Sequence, residues 1–223
     1  MGWKAFDTDA DRYESWYASP RGQRVDQSER KLLERLLQKM PNAASALEVG
    51  CGTGHFTALF ADQGLFPIGL DRAPAMIAAL RRLHPSLPAV LGDAHKLPFQ
   101  DGAVDVTVFV ATLEFLEQPE VALAEAVRVS RKGLILVVLN KWSVGGLSRR
   151  LGRQARSRRL GRARDFSLPQ LNDLLRAVPA DRIQRIWWTS ALYPIGPAEF
   201  LAHVPLGDVI GLAVMLNTPS IRS

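Results

Sequence analysis

The sequence predicts an α/β protein built on a doubly wound, mostly parallel seven-stranded sheet with helices on both faces. Three observations carry that expectation. Apolar runs alternate with helical segments five times between residues 45 and 140. The runs are almost continuously apolar, as strands covered on both faces must be. The connections are short except at the strand ends where ligands bind in such sheets.

The elements follow in order. Residues 9–19 and 23–39 read as helices; in the second, Val25, Leu32, Leu33, Leu36 and Leu37 recur at helical spacing among charges. Pro41 and Asn42 end it. SALEV (45–49) is the first strand, FPIGL (66–70) the second and LPAVL (87–91) a short third. VDVTVFV (104–110), rich in β-branched residues, is the fourth, and GLILVVLN (133–140) the fifth. Helices are expected at 54–63, 74–83 and 119–130 between them. Further on, Ser167 and Gln170 form a capping box with Pro169 in the first turn. Residues 181–193 and 208–216 supply the last two strands.

Bulk properties bound the function. A chain of 223 residues, 47% hydrophobic, suits one domain with a full core. The single cysteine, Cys51, excludes an internal disulfide framework and a cysteine-rich zinc site. The histidines, His55, His84, His95 and His203, have no metal-ligand spacing, so no metal is expected. The N-terminus does not read as a signal peptide. No run reaches the roughly 18 apolar residues of a membrane span. The longest candidate, Val204 to Leu216, is interrupted by Asp208. A soluble, cytoplasmic protein is the expectation. Its net charge of +6 can attract nucleic acid, anionic lipid or an acidic substrate.

The stretch ALEVGCGTGHF (46–56) sets glycines directly after an apolar strand, where a ligand can approach bare backbone. A phosphate loop would need G-x-x-x-x-G-K-[ST], and no lysine follows Gly50 at that place. A dinucleotide loop would need glycine or alanine at 55, where His55 stands. LEVGCGTG fits a third pattern: an apolar strand, an acid at Glu48, then G-x-G-x-G. IGLD (68–71) ends the second strand on an acid, and LGDAHKLPF (91–99), DVTVFVATLEFL (105–116) and RVSRKGLILVVLN (128–140) follow in order. In these motifs the chain resembles the class I S-adenosylmethionine-dependent methyltransferases, whose fold is Rossmann-like. The resemblance covers roughly residues 43–140.

The resemblance implies binding of S-adenosyl-L-methionine, with S-adenosyl-L-homocysteine as product. It implies that the Gly50, Cys51 and Gly52 backbone passes the methionine part, with Glu48 holding the loop or the ammonium group. Asp71 would accept from both ribose hydroxyls, with capping of the next helix the less favoured alternative. Asp93 and Ala94 would meet the adenine, Arg72 and Met76 would flank the adenosine, and Ala111 and Thr112 would meet the methionyl end. Met76 equally suits ordinary core. Tyr13, with Trp16 and Tyr17, would lie on an N-terminal helix closing the site, or dock that helix on the core. Glu114 is the one named candidate for a general base. The implied division is an N-terminal helical lid (1–40), a cofactor-binding core (41–140), a basic insert (141–166) and the C-terminal part of the sheet (167–223).

The implied acceptor is a small molecule such as a quinone, lipid precursor or metabolite. ATLEFL stands where many amino-directed nucleic-acid methyltransferases carry Asn/Asp-Pro-Pro-Tyr/Phe. Glu114-Phe115 departs from the His-His or Glu-His of many small-molecule members. The arginine-rich segment 149–164 keeps RNA or protein open as acceptor, with nucleic acid the less favoured for want of aromatics over 143–165. It also suits an anionic membrane surface, an anionic substrate or a solvated helix. A non-catalytic cofactor-binding module and a nicotinamide dehydrogenase are the remaining alternatives.

Overall fold

The computed structural model describes residues 10–150, 163–191 and 206–217, without the side chains of 10–13, 148–150 and 180. Helices α1 (Ala10–Tyr17) and α2 (Pro20–Leu37) precede strand β1 (Ser45–Val49). Then α3 (His55–Asp62), β2 (Phe66–Asp71), α4 (Pro74–Leu83) and β3 (Ala89–Leu91) alternate. β4 (Val104–Val110), α5 (Pro119–Val129) and β5 (Ser130–Leu139) complete the parallel part. The chain continues through α6 (Val144–Arg150), α7 (Leu168–Leu175), β6 (Ile183–Ala191) and β7 (Val209–Leu216).

The seven strands lie in the order β3-β2-β1-β4-β5-β7-β6. β1 to β5 pair in parallel, and β7 enters antiparallel between β5 and β6. The doubly wound, mostly parallel sheet expected from the sequence is therefore the fold. Expected boundaries agree within a few residues; β5 starts earliest relative to expectation, at Ser130, because it pairs with Val104 at the foot of β4. A solvated helix was one reading of the basic insert; α6 starts earlier than that segment, at Val144, where Gly145 and Gly146 lower the intrinsic propensity.

β4 occupies the centre and is buried along its whole length. Its Val106, Val108 and Val110 pack with Leu32, Leu33 and Leu36 of α2 and Phe56, Leu59 and Phe60 of α3. Phe109 faces the opposite layer with Leu123 and Val127 of α5 and Leu171 and Leu175 of α7. The period of two along the strand thus feeds two separate cores. The Ser167 box at the start of α7 forms as read from the sequence.

One carboxylate ties three strand starts together. Asp105, 4% exposed, accepts from Ala44 N at 2.8 Å and from Arg131 Nε at 2.9 Å. Its own N–H donates to Ser45 Oγ at 2.9 Å. Burial alone would raise its pKa; the Ala44 N–H and Arg131, then Lys132, outweigh burial and hold it below the usual aspartate range. Stability from such a group is present above the unfolded aspartate pKa and lost as pH falls through the depressed folded value. Asp105→Ala should lower the unfolding free energy by about 2 kcal/mol at neutral pH. Urea midpoints would read it, and a neutral result would remove Asp105 from this role.

Candidate functional site

The C-terminal ends of β1, β2 and β4 meet around the glycine loop. Gly50, Gly52 and Gly54 all take positive φ, at 76°, 55° and 89°. Gly50 is forced by more than its torsion. A Cβ there would lie 2.4 Å from Thr112 Cγ2, so a side chain would push the β4 loop away. Gly50 N and Cys51 N both donate to Leu70 O, at 2.7 and 3.0 Å, which pins the loop to β2.

Asp71 completes this frame. Its Oδ2 accepts from Gly52 N at 2.9 Å and its Oδ1 from Ala73 N at 2.8 Å. The carboxylate therefore fixes both the glycine loop and the entry to α4. Arg72, half-exposed, lies 3.5 Å from Asp93. Asp93 accepts from His95 N at 3.0 Å and meets the ring Nδ1 at 2.7 Å. Its partial burial pushes its pKa up, but the His95 contacts, followed by Arg72, pull it below the usual range. Ala94 is 7% exposed and small, leaving a flat wall beside Asp93. The following Leu97-Pro98-Phe99 turn is held by Arg128, which donates to Leu97 O, Phe99 O, Glu125 and Asp101.

Ala111, after β4, has φ +47°. A non-glycine residue there is strained, and such strain persists only where surroundings enforce it. Its N–H donates to Val137 O at 2.8 Å, and Thr112 Oγ1 returns to Val110 O at 3.0 Å. The kink delivers Thr112 against Gly50.

The remaining expected residues sit deeper. Met76 is 2% exposed, within the core at the start of α4. Cys51 is 5% exposed; burial first, then the Glu48 and Asp71 carboxylates, push its thiol well above the ordinary range, so it is inert. Glu48 is 2% exposed and accepts from Thr57 Oγ1, bracing α3 on β1. Glu114 sits in a single 3-10 turn, Leu113–Phe115. It is 2% exposed, and its Oε1 accepts from Leu139 N at 2.6 Å, bracing the β4 loop on the end of β5.

The N-terminal helices clamp onto this loop. Tyr17 stacks on His55, with ring centroids 4.0 Å apart and planes at 16°. His55 Nε2 lies 2.6 Å from Asp26, which also holds Arg30. Glu14 accepts from Thr53 Oγ1 inside the glycine loop. Trp16 is 41% exposed. The side chain of Tyr13, most of segment 149–164 and His203 lie outside the described residues.

Sequence reasoning missed Asp26, Glu29 and His55 as parts of this arrangement. Glu29 of α2 has its pKa pushed up to about 8 by desolvation, then by Asp26 and Glu114. Only the (i, i+4) pair Asp26–Arg30 was visible in one dimension. Its meeting with His55 depends on how α2 crosses α3.

Comparison with known proteins fits this geometry. Residues 47–138 match the family model described as a methyltransferase domain. A demethylmenaquinone methyltransferase of Renibacterium salmoninarum is 37% identical over 92 residues, 41% of this chain and 39% of that protein. The chain thus spans about two fifths of that relative's length. A crystal structure of an S-adenosylmethionine-dependent methyltransferase from Thermotoga maritima has the same fold, with TM-score 0.75 and 24% identity. It covers 96% of this chain and 100% of that one. Magnesium protoporphyrin IX methyltransferase from Synechocystis, solved with bound S-adenosylhomocysteine, superposes with TM-score 0.66 and 14% identity over 95% of this chain and 94% of that one.

Fold and loop together define a Rossmann-like domain. Its residues 47–138 match the methyltransferase-domain model, and the fold is that of the Thermotoga maritima structure.

Burial raises the Glu48 pKa from 4.5 to about 8, against the lowering effect of the Thr57 hydroxyl and with a further rise from Asp71. A buried acid that stays protonated while the unfolded chain ionises makes stability fall as pH rises across that window. Glu48→Gln keeps an acceptor for Thr57 and should flatten part of this decline, with Glu29 supplying the rest. Urea unfolding at about pH 5 and about pH 8 reads the difference. An unchanged slope would mean that Glu48 ionises normally.

Proposed function

We propose that the protein transfers a methyl group from S-adenosyl-L-methionine to a small, lipophilic or metabolite-like acceptor. The supporting observation is the bare loop at Gly50–Gly54 with the Asp71 carboxylate fixed against it. The donor set fits the cofactor. Backbone without side chains at Gly50 and Gly52 suits its methionine part, a carboxylate on the neighbouring strand end suits a ribose diol, and Ala94 offers a wall for a flat base. Arg72, Asp93, Ala111 and Thr112 complete the cradle in this reading, with Met76 in the core behind it and Glu48, Gly50, Cys51 and Gly52 forming its floor.

When bound, the cofactor supplies an electrophilic methyl on a sulfonium. The chain's task is alignment and exclusion of water. The α1–α2 pair, locked at His55 and Thr53, covers the loop. Glu114 braces the acceptor side, and it acts as general base only for an acceptor that must shed a proton. The small-molecule acceptor draws support from the relative named for demethylmenaquinone. Methylation of RNA or protein is the second reading, favoured by the cationic run 149–164.

Labelled S-adenosylmethionine should pass its methyl into the organic-soluble or aqueous small-molecule fraction of a host-cell extract. Label in RNA or protein would replace the small-molecule reading. Asp71→Ala should weaken cofactor binding tenfold or more, about 1.4 kcal/mol, by calorimetry. Unchanged affinity would remove Asp71 from the site.

A further inference from the structure

Past β5 the chain builds a fixed platform and leaves its apolar side chains outside. Asn140, fully buried, donates from Nδ2 to Gly207 O at 2.7 Å and from its N–H to Asp208 O at 2.8 Å. Its side-chain oxygen accepts from Trp142 N at 3.0 Å. Ser143 Oγ accepts from Gly146 N at 2.8 Å, and Asp208 accepts from Gly145 N at 3.0 Å. These bonds hold the first turn of α6 against the turn that carries Leu206.

On that anchored platform Trp142 is 53% exposed, Val144 64%, Leu147 54% and Leu206 53%. Val144 and Leu147 stand three residues apart on one face of α6. Four large apolar side chains grouped at one place mark a contact surface, where scattered ones would not. The surface lies beside the acceptor end of the sheet. Lys141 N donates to Phe166 O at 2.8 Å, and Arg164 N donates to Glu114 O at 3.0 Å.

Charge selects the occupant. From Lys141 to Arg164 the chain holds nine Lys and Arg residues and no Asp or Glu. Of these, Lys141 and the exposed Arg164 flank the platform, and the chain leaves α6 at Arg150 into the most cationic stretch of the sequence. On the platform, Asp208 is engaged by Gly145 N. A second copy of the chain would bring like charge onto like charge. RNA would want several stacking aromatics, and Trp142 is the one aromatic between 141 and 165. Aliphatic side chains with one tryptophan, rimmed by cations, match the boundary of an anionic bilayer.

We infer that the Trp142–Val144–Leu147–Leu206 face docks on the surface of an anionic membrane, turning the acceptor end of the sheet toward the lipid. Docking stands without the methyl-transfer reading. Its consequence, that acceptors come from compounds partitioned into the bilayer, rests on that reading.

The test is cosedimentation of the full chain with vesicles of phosphatidylglycerol and phosphatidylcholine, against phosphatidylcholine alone. Binding should require the anionic lipid and weaken with salt. Trp142→Ser combined with Leu147→Ser should weaken it roughly tenfold or more, whereas Trp142→Phe should retain it. Val144→Ser, at the most exposed position, guards against a folding defect in the double variant, and a circular-dichroism melt checks each. Equal binding by wild type and variants would overturn the proposal. So would absence of vesicle binding, RNA binding in its place, or a dimer formed through this face. Calorimetry with S-adenosylmethionine on the same preparations separates the two ideas: loss of cofactor binding would sink the methyl-transfer reading and leave docking judged on vesicles alone.

Discussion

There is no room for a methyl group between Gly50 and Thr112. That exclusion sets the geometry of the whole site. A Cβ at 50 would overlap Thr112 Cγ2 at 2.4 Å, so the ends of β1 and β4 meet as backbone against side chain. On the other side, toward β2, the two loop N–H groups reach Leu70 O, and Gly52 N reaches Asp71. Because Asp71 is fixed there, it also orders the entry to α4 through Ala73 N. The opposite side of the contact carries its own constraint in Ala111 at φ +47°. Strain on one loop and a missing side chain on the other make one close approach.

The N-terminal helices use the same loop as their foothold. Their contacts to it are polar or aromatic: Glu14 on Thr53, Asp26 on His55, Tyr17 stacked on His55. The apolar attachment lies elsewhere, where Leu32, Leu33 and Leu36 of α2 pack over the sheet. Desolvation first, then Asp26 and Glu114, push the Glu29 pKa up to about 8 where α2 nears the β4 loop.

Much of this was legible in one dimension, for identifiable reasons. Strands β1, β4 and β5 announce themselves because burial on both faces demands unbroken apolar runs. The glycine loop and Asp71 were legible because their backbone and hydrogen-bond requirements admit few residue types. Glu48 was read as holding the loop or a ligand's ammonium group and Glu114 as a base; each has one carboxylate oxygen on a protein partner, Thr57 Oγ1 and Leu139 N. Sequence position gives the strand end and not the direction of the side chain. His55 was set aside as a mismatch to a dinucleotide loop, although it is the residue on which Tyr17 and Asp26 converge. The start of helix α6 was hidden by Gly145 and Gly146, which a helical pattern excludes but which fit here because a Cβ would strike Asp208 or the carbonyl of Asn140.

The family match ends at residue 138, and this boundary has a physical sense. Up to the end of β5 the chain builds β1, β2, β4 and the glycine loop with its neighbours, where backbone geometry restricts variation. Beyond it, Asn140 is the junction from which the chain's own features depart. It pairs with Phe166 across an isolated bridge and accepts Trp142 N, and its amide reaches Gly207. One buried amide thus ties together the platform, the return of the basic insert and the turn before β7. Arg164 then joins this assembly to the β4 loop through Glu114 O. These contacts set the exposed apolar face on the side of the sheet end that carries Glu114. In the methyl-transfer reading that is the side from which an acceptor arrives, so acceptor choice depends on Asn140 and its neighbours more than on the glycine loop.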